Sequence, residues 1–211
     1  MPDLFKNWSS LLNPLYEKYG SRRHPLWCEN RYQLFVKVVL SARDSDAHIN
    51  ALAPSIFAAF PSMKELSAAP ESAIFGKIRE VSNCANKAKW LKALAEEVRS
   101  DDNIPRTLDG VTALPGIGRK SANVIIRETG GEAEGIIVDL HVVRVAPRLG
   151  IVSGKTPEKI ERELMEHIPQ KDWNRAGMAL SFLGREICRP TNPKCPQCPL
   201  KDCCEWDGKR L

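Results

Sequence analysis

The 211-residue sequence lacks several features that would each place it in a different class of protein. No apolar run approaches the roughly 20 residues that a membrane-spanning helix needs. The opening segment carries an acid at Asp3 and no long apolar core, so it does not resemble a signal peptide. An internal repeat with a period of about 20 to 50 residues and a low-complexity tract are both missing. We therefore expect a cytoplasmic globular protein with no membrane partner.

Sustained alternation of apolar and polar residues is also missing, which argues against a β-sheet, and helical periodicity dominates. Tyr32–Ser41 is apolar on nearly every side, as is typical of a helix buried in a core. Gly177 and Gly184 would let a neighbouring helix approach closely. Pro147 is expected to kink its helix or end it early. The expected helices of this all-α protein are Leu4–Tyr19, Tyr32–Ser41, Asp46–Phe60, Met63–Ala68, Glu71–Lys77, Asn86–Arg99, Asp139–Leu149, Thr156–His167 and Lys171–Ile187.

Charge and cysteine content point to a polyanionic partner and a metal site. Lys and Arg total 31 against 26 acids, which suits a polyanion but also fits an ordinary solvated surface. Five of the 7 cysteines crowd into residues 188–204, and in a reducing compartment such a cluster indicates metal before disulfides. The spacing Cys188-x6-Cys195-x2-Cys198-x5-Cys204 suits four-thiolate zinc and a 4Fe–4S cluster alike. Paired Cys-x2-Cys knuckles favour zinc and only one pair is present, so both remain open.

The segment Leu114–Lys120 has the composition of an anion-binding turn between two helices. A proline follows its first residue, so the first helix ends there. Gly116 and Gly118 are open to backbone angles closed to other residues, and Ile117 between them is expected to fill the gap between the helices. The second helix begins near Arg119, and its N–H groups and positive dipole end form a site for phosphate.

Lys120 is a candidate nucleophile. It shares a helix face with Asn123 and Arg127, opposite an apolar face, so we expect it to point away from the core. A lysine beside such a turn is ordinarily a phosphate contact. The helix N-terminus and Arg119 both disfavour an ammonium here, however, and a nucleophilic lysine must be the neutral amine.

Asp139 follows the apolar run 136–138 and begins the next helix. An N-cap role is sufficient to explain an aspartate there, and a catalytic carboxylate is the competing interpretation. Further along this helix, His141, Arg144 and Arg148 share one face that suits contact with a DNA backbone.

Three segments in this order and at these separations, LPGIGRKSANVI, IIVDLHVVRV and the four-cysteine motif, resemble the endonuclease III family. The resemblance extends from about Gln33 to the final tryptophan. It implies a two-lobed, all-α helix-hairpin-helix DNA glycosylase fold. The implied parts are a six-helix barrel lobe over 21–131, with the helix-hairpin-helix at about 107–128, and an iron–sulfur lobe of 1–20 plus 132–211. It also implies a 4Fe–4S cluster in the loop 188–204, held by Cys188, Cys195, Cys198 and Cys204, with Cys203 as a bystander.

The function implied is a base-excision DNA glycosylase with AP lyase activity that removes damaged pyrimidines. Lys120 matches the family's nucleophile, which forms a Schiff base at C1′ of a flipped nucleotide, and Asp139 matches its catalytic acid. The partner is double-stranded DNA with a damaged base or an abasic site. We expect a monomer in the prokaryotic cytoplasm, associated with the nucleoid. The expected DNA contacts are Gly116, Gly118, Arg119, Arg43, Asn83, His141, Arg144 and Lys194.

Three positions depart from the family pattern, and all concern recognition of the lesion. Arg43 stands where relatives commonly carry a glutamine that enters the gap left by the flipped base. Asn83 is nearest the position of a leucine wedge, and Leu140 follows Asp139 where a small polar residue is usual. Because Arg43 can donate to the acceptor edge of guanine, the alternative function is a glycosylase for uracil or thymine mispaired with guanine, with weak or no lyase activity.

Overall fold

The structure, a computed structural model, describes residues 6–210. Within that range every regular element is helical and no strand occurs, which confirms the prediction of an all-α protein. None of the described helices combines the length and the apolarity needed to cross a bilayer. The α-helices are α1 Trp8–Leu11, α2 Asn13–Tyr19, α3 Arg31–Ser41, α4 Asp46–Ala59, α5 Met63–Ala68, α6 Glu71–Ile78, α7 Cys84–Val98, α8 Leu108–Thr112, α9 Arg119–Glu128, α10 Leu140–Leu149, α11 Pro157–His167 and α12 Trp173–Glu186; 3-10 turns occupy Asp101–Asn103, Gln170–Asp172 and Cys195–Gln197.

The chain divides into two compact units. One is Arg23–Glu132, which holds α3 to α9. The other is Met1–Arg22 with Ala133–Leu211, and its described residues hold α1, α2 and α10 to α12. The boundaries predicted from the sequence, at residues 20 and 131, lie one or two residues from these.

Helix α3 forms the core of the unit Arg23–Glu132. Eight of its 11 residues are buried, as the sequence predicts, and it packs against α4, α7 and α9. Full burial of a side chain such as Phe35 stabilises the fold by about 1.5 to 3 kcal/mol. The buried Lys37 is satisfied by donating to the carbonyl oxygen of Trp27 at 2.5 Å and to Asn50 Oδ1 at 3.2 Å. This packed helix ends at the loop that carries Arg43.

Helix α12 is the buried centre of the second unit and packs against α2 and α10. A Cβ atom added to Gly184 would lie 2.8 Å from His141 Cβ, so α10 approaches α12 closely at that point, as predicted. At Gly177 the close neighbour is instead Ile137, whose carbonyl oxygen would lie 2.5 Å from an added Cβ. These two approaches place Asp139 against α12.

The expected first helix, Leu4–Tyr19, is two helices in the structure, and its first two residues lie outside the described residues. The helices meet at Leu12, which is the C-cap of α1 and the N-cap of α2. Pro14 explains the break, because a proline is tolerated in the first turn of a helix but not in the middle of one.

Pro147 does not end α10 early, which was one of the two effects expected of it. The helix continues to Leu149, and the N–H of Gly150 closes it by donating to the carbonyl oxygens of Ala146 and Pro147. Because Pro147 lies in the last turn, its missing N–H removes a single backbone hydrogen bond near the helix end. Gly150, with φ of 84°, supplies the left-handed cap that ends the helix.

Candidate functional site

The turn between α8 and α9 has the architecture that its sequence predicts. Leu114 and Ile117 are both buried, each 5% exposed, so the isoleucine fills the gap between the two helices. Gly116 has φ of 79°, in the left-handed region that favours glycine. A Cβ atom there would also lie 2.9 Å from Trp90 Cβ and 3.0 Å from its ring. Glycine is therefore required at position 116 for two reasons, the backbone angle and the close approach of Trp90 on α7. The sequence did not reveal the contact with Trp90.

Gly118 differs from what the sequence led us to expect. Its φ of −86° and ψ of 168° are extended angles that any residue adopts, so Gly118 does not use the conformational freedom that glycine offers. A Cβ atom there would meet nothing within 4 Å. The glycine leaves open space in front of the first turn of α9, where Arg119 and Lys120 are exposed. An anion that approaches those N–H groups meets no side chain from residue 118.

Lys120 is exposed, as predicted, but Asn123 does not share its surroundings. Asn123 is only 4% exposed, and Val124 is buried beside it, so the buried arc of α9 is wider than its apolar residues suggest. Arg127 is mostly buried, with 12% of its side chain exposed, and forms an ion pair with Glu128. Of the three residues assigned to the outward face, Lys120 alone is exposed.

Two loops in the same unit carry the residues that depart from the family pattern. Arg43 follows α3 and Asn83 precedes α7, and both side chains are exposed. Both backbones are in the left-handed region, with φ of 57° and 56°. Non-glycine residues adopt this conformation at a cost, and such strain is concentrated at functional sites.

A network of hydrogen bonds joins these two loops. Ser82 donates from its hydroxyl to the carbonyl oxygen of Arg43 at 2.8 Å and from its N–H to Asp44 Oδ2 at 2.9 Å. The buried Lys87 donates to the carbonyl oxygen of Leu40 at 2.6 Å, at the end of α3, and lies 3.4 Å from Ser82 Oγ. Burial lowers the pKa of Lys87, while the charge of Asp44 opposes that shift.

Asp139, in the other unit, is fixed through both carboxylate oxygens. Oδ1 accepts from the N–H groups of His141 and Val142, each at 2.9 Å, so the residue is the N-cap of α10. Oδ2 accepts from Ser181 Oγ at 2.6 Å and lies 3.7 Å from Arg185 Nη2. The side chain is 10% exposed. Ser181 and Arg185 lie one turn apart on α12, and no sequence pattern links them to Asp139.

The residues after Asp139 divide between solvent and the interior. Leu140 is 70% exposed, an unusual position for a leucine. His141 is partly buried, and burial lowers its pKa although Asp139 opposes the shift. Arg144 donates from Nε to the carbonyl oxygen of Cys188 at 3.0 Å and from Nη2 to that of Gly184 at 3.0 Å. The guanidinium of Arg144 thus binds the end of α12, and its role as a phosphate contact stays a prediction.

Four of the five C-terminal cysteines line one cavity. Its walls include Cys188, Cys195, Cys198 and Cys204 but not Cys203, whose thiol donates to the carbonyl oxygen of Leu200 at 3.5 Å. Burial raises the pKa of Cys198 to about 11, and the nearby thiols of the other three add to that shift. Within residues 6–210 no group of three or more metal-binding side chains has the arrangement of an assembled metal site.

Four cysteines that line one cavity, whose other walls are apolar and basic residues, are a donor set that fits an iron–sulfur cluster. Arg148 connects both ends of the loop to α10. Its Nη1 donates to the carbonyl oxygen of Arg189 at 2.9 Å and lies 3.6 Å from Cys188 Sγ, and its backbone carbonyl accepts from the Cys204 thiol at 3.5 Å. Its guanidinium also lies 3.8 Å from the ring centroid of Trp206. Lys194 is exposed just before the 3-10 turn of this loop.

Every regular element within residues 6–210 is helical, and the glycine turn leads into a helix whose second residue is an exposed lysine. Comparison with known proteins identifies this arrangement as that of a class of DNA-repair protein. Residues 36–170 match the family model of the HhH-GPD superfamily base excision DNA repair protein. Solved structures agree: a trapped covalent intermediate of endonuclease III with DNA has a TM-score of 0.84 at 31% identity over 93% of both chains. A non-covalent endonuclease III–DNA complex has a TM-score of 0.83, also at 31% identity, over 93% of this chain and 92% of that one.

Relatives in curated collections narrow the assignment. Endonuclease III of Bacillus subtilis is 35% identical over 86% of this chain and 84% of its own length. That of Rickettsia conorii is 32% identical over 94% of this chain and 97% of its own. A thermostable thymine-DNA glycosylase structure has a TM-score of 0.75 but only 21% identity, and so supports the fold alone. The chain belongs to the endonuclease III family; it is a base-excision repair enzyme, a DNA glycosylase and AP lyase.

Proposed function

We propose that Lys120 is the nucleophile of this glycosylase and lyase. The observation that carries the proposal is the exposure of Lys120 in the first turn of α9. Lys120 lies two residues after Gly118, where the absence of a side chain leaves open space. A backbone phosphate bound at that helix N-terminus brings the neighbouring deoxyribose to the lysine. The duplex must first release the target nucleotide from its stack, because C1′ is out of reach inside the helix.

The reaction that follows uses a single amine. The nitrogen of Lys120 attacks C1′, the C1′–N bond to the base breaks, and the base leaves with the electron pair and gains a proton. The lysine nitrogen then gives up a proton, the C1′–O4′ bond breaks and O4′ takes a proton, so that the sugar ring opens and a protonated Schiff base forms at C1′. This Schiff base acidifies the C2′ hydrogens. Loss of one of them as a proton expels the 3′ phosphate by β-elimination. The strand is then cut, and hydrolysis of the Schiff base regenerates the amine.

Asp139 is proposed as the catalytic acid, which helps to activate the amine and stabilises the positive charge that develops on the sugar. Its contacts support this role, because the helix cap and the hydroxyl of Ser181 fix both carboxylate oxygens before substrate arrives. Preorganised charge of this kind costs no rearrangement at the moment of reaction. Ser181 and Arg185 are then positioning residues for Asp139.

The substrate proposed is double-stranded DNA that contains a damaged pyrimidine or an abasic site. Gly116, Gly118 and Arg119 hold the backbone, which is independent of base sequence, while Arg43 and Asn83 contact the duplex near the lesion. A second candidate substrate, uracil or thymine opposite guanine, is favoured by the exposed guanidinium of Arg43, which matches the acceptor edge of guanine.

A 4Fe–4S cluster is proposed as the resident cofactor, ligated by Cys188, Cys195, Cys198 and Cys204. The shared cavity of these four thiols supports the assignment, and the exclusion of Cys203 from it supports the choice of ligands. When bound, the cluster supplies iron–thiolate bonds that organise the loop. The loop in turn presents the exposed Lys194, a proposed DNA contact.

Borohydride trapping tests the nucleophile. The wild-type protein is expected to become covalently linked to an oligonucleotide with an abasic site, because reduction fixes the Schiff base. Lys120→Ala should abolish the adduct, whereas Arg119→Ala, the matched change at the neighbouring exposed cation, should weaken binding and still allow trapping at high protein concentration. If Lys120→Ala traps as efficiently as wild type, another amine is the nucleophile.

A further inference from the structure

The loops that carry Arg43 and Asn83 are held in strained conformations by contacts within their own unit. Each residue is exposed and each has a left-handed backbone, although neither is a glycine. A strained backbone persists only where the surrounding structure over-determines it. Hydrogen bonds from neighbouring residues are therefore expected to hold both loops in place.

Asp44, which directly follows Arg43, supplies several of these bonds. Its Oδ2 accepts from the N–H of Ser82 at 2.9 Å, next to Asn83, and its Oδ1 accepts from the N–H of Ser45 at 2.8 Å. The same Oδ1 lies 2.8 Å from His48 Nδ1 on α4. One carboxylate, with a side chain 11% exposed, thus ties the loop after α3 to the loop before α7 and to the start of α4.

The ionised form of Asp44 is strongly favoured. Burial raises the pKa of its carboxyl group, but the hydrogen bonds from Ser82, His48 and Ser45 outweigh burial and lower the pKa to about 2. Lys87 supports the network from beneath, since it is 1% exposed and binds the carbonyl oxygen that ends α3. The second link between the loops is the hydroxyl of Ser82, which donates to the carbonyl oxygen of Arg43 itself.

We propose that Asp44 is a positioning residue that makes Arg43 and Asn83 a single, preformed unit for recognition of the base opposite the target nucleotide. The inference rests on the proposed function, in which these two side chains contact the duplex at the lesion. A guanidinium and an amide on one rigid frame present donors and an acceptor at fixed spacing, which suits a base edge. Fixing both before DNA arrives removes an ordering cost from the bound state.

The test measures discrimination among opposing bases and the coupling between the two recognition residues. Oligonucleotide duplexes with a preformed abasic site opposite A, C, G or T give KM and kcat for lyase activity. Asp44→Ala should narrow the range of KM values across the four duplexes by about three- to tenfold, since couplings of this size are typical of residues in one hydrogen-bonded network. The values of kcat should change far less than those of KM. Asp102→Ala, at an exposed aspartate of the same unit, is the control and should match wild type.

A double-mutant cycle of Arg43→Ala and Asn83→Ala then tests the shared frame. In the wild-type background the two effects on KM should be non-additive, and in the Asp44→Ala background they should become additive. Asp44→Asn keeps one acceptor oxygen and should restore part of the discrimination. If Asp44→Ala does not fold, as judged by thermal unfolding, Ser82→Ala removes the second link and should give the same loss of coupling.

The outcomes distinguish failure of the positioning role of Asp44 from failure of the proposed function. Equal discrimination in wild type and Asp44→Ala, additive effects in the wild-type background, or a uniform loss of activity on all four duplexes overturns the positioning role. A wild-type enzyme without preference among opposing bases overturns it as well. Failure of wild type to form a borohydride adduct instead overturns the proposed function, and it is measured independently of these KM values.

Discussion

Gly116 and Gly118 are expected to fail in opposite ways when each is changed to alanine. At Gly116 an alanine must adopt φ of 79°, which costs about 1 to 2 kcal/mol. Its Cβ atom would also lie 2.9 Å from Trp90 Cβ, closer than such contacts allow. We therefore expect a total cost of about 2 to 3 kcal/mol, or a decrease in Tm of about 4 to 12 °C for a chain of this size. That cost is a substantial part of the roughly 5 to 15 kcal/mol that stabilises a typical domain.

At Gly118 the same substitution meets open space at backbone angles that suit alanine. Its unfolding free energy should stay unchanged or rise by about 0.4 to 1 kcal/mol, because alanine restricts the unfolded chain. Its methyl group, however, stands where phosphate approaches the N–H groups of α9. Loss of a hydrogen bond to a charged group costs about 1.5 to 3 kcal/mol, so DNA affinity should fall at least tenfold.

Thermal unfolding and fluorescence-anisotropy titration with damaged and undamaged duplexes measure the two effects. Gly76→Ala is a matched control, since an added Cβ atom in the middle of α6 also meets nothing, and it should leave affinity unchanged. The penalty of Gly116→Ala should shrink when Trp90 is also changed to alanine. A Gly118→Ala protein that bound both duplexes at full strength would refute the hairpin's role, and a loss restricted to damaged DNA would contradict a phosphate contact.

Three further predictions concern single groups. Asp139→Asn should retain DNA binding but lose base excision by orders of magnitude in single-turnover assays, because the cap survives and the negative charge does not; full activity would exclude the catalytic role. Cys203→Ser should leave iron content unchanged while Cys204→Ser loses it, and elemental analysis that finds about one zinc and no iron would reverse the cluster assignment. The carboxyl group of Asp44, followed by NMR, should titrate near pH 2 rather than 3.8. Because the pKa is lower in the folded than in the unfolded protein, the contribution of Asp44 to stability is present above about pH 4 and is lost as the pH falls towards 2. A normal pKa would contradict the loop network.

Local sequence was sufficient for most of the helices and for the outline of the phosphate-binding turn. Proline and glycine fix where a helix ends. An apolar residue between two glycines is expected to be buried between the flanking helices, so the position of Ile117 was predictable. Pro14 and Pro147 show the limit of the same reasoning. A proline is harmless in the first turn and nearly so in the last, and the sequence alone does not say which turn it occupies.

Contacts between distant parts of the chain were not predictable. Asp44 and Ser82 are separated by 38 residues, and Asp139 and Ser181 by 42. Neither pair has a spacing that a helical or strand period would reveal. The arginines of α10 illustrate the same point, because periodicity places Arg144 on one face but cannot tell a carbonyl partner in α12 from a phosphate.

Asp139 shows why two competing interpretations of one residue need not exclude each other. From sequence, a helix cap and a catalytic acid are alternatives, since either explains an aspartate before an apolar helix. In the structure the two carboxylate oxygens have separate partners: Oδ1 accepts both capping hydrogen bonds, and Oδ2 accepts from Ser181 and lies near Arg185, so the cap leaves the proposed catalytic role open. The cap fixes the side-chain rotamer, so the same bonds that begin α10 hold the other oxygen in one position. A residue placed by the helix it caps is preorganised without a separate stabilising element, which is what electrostatic catalysis requires.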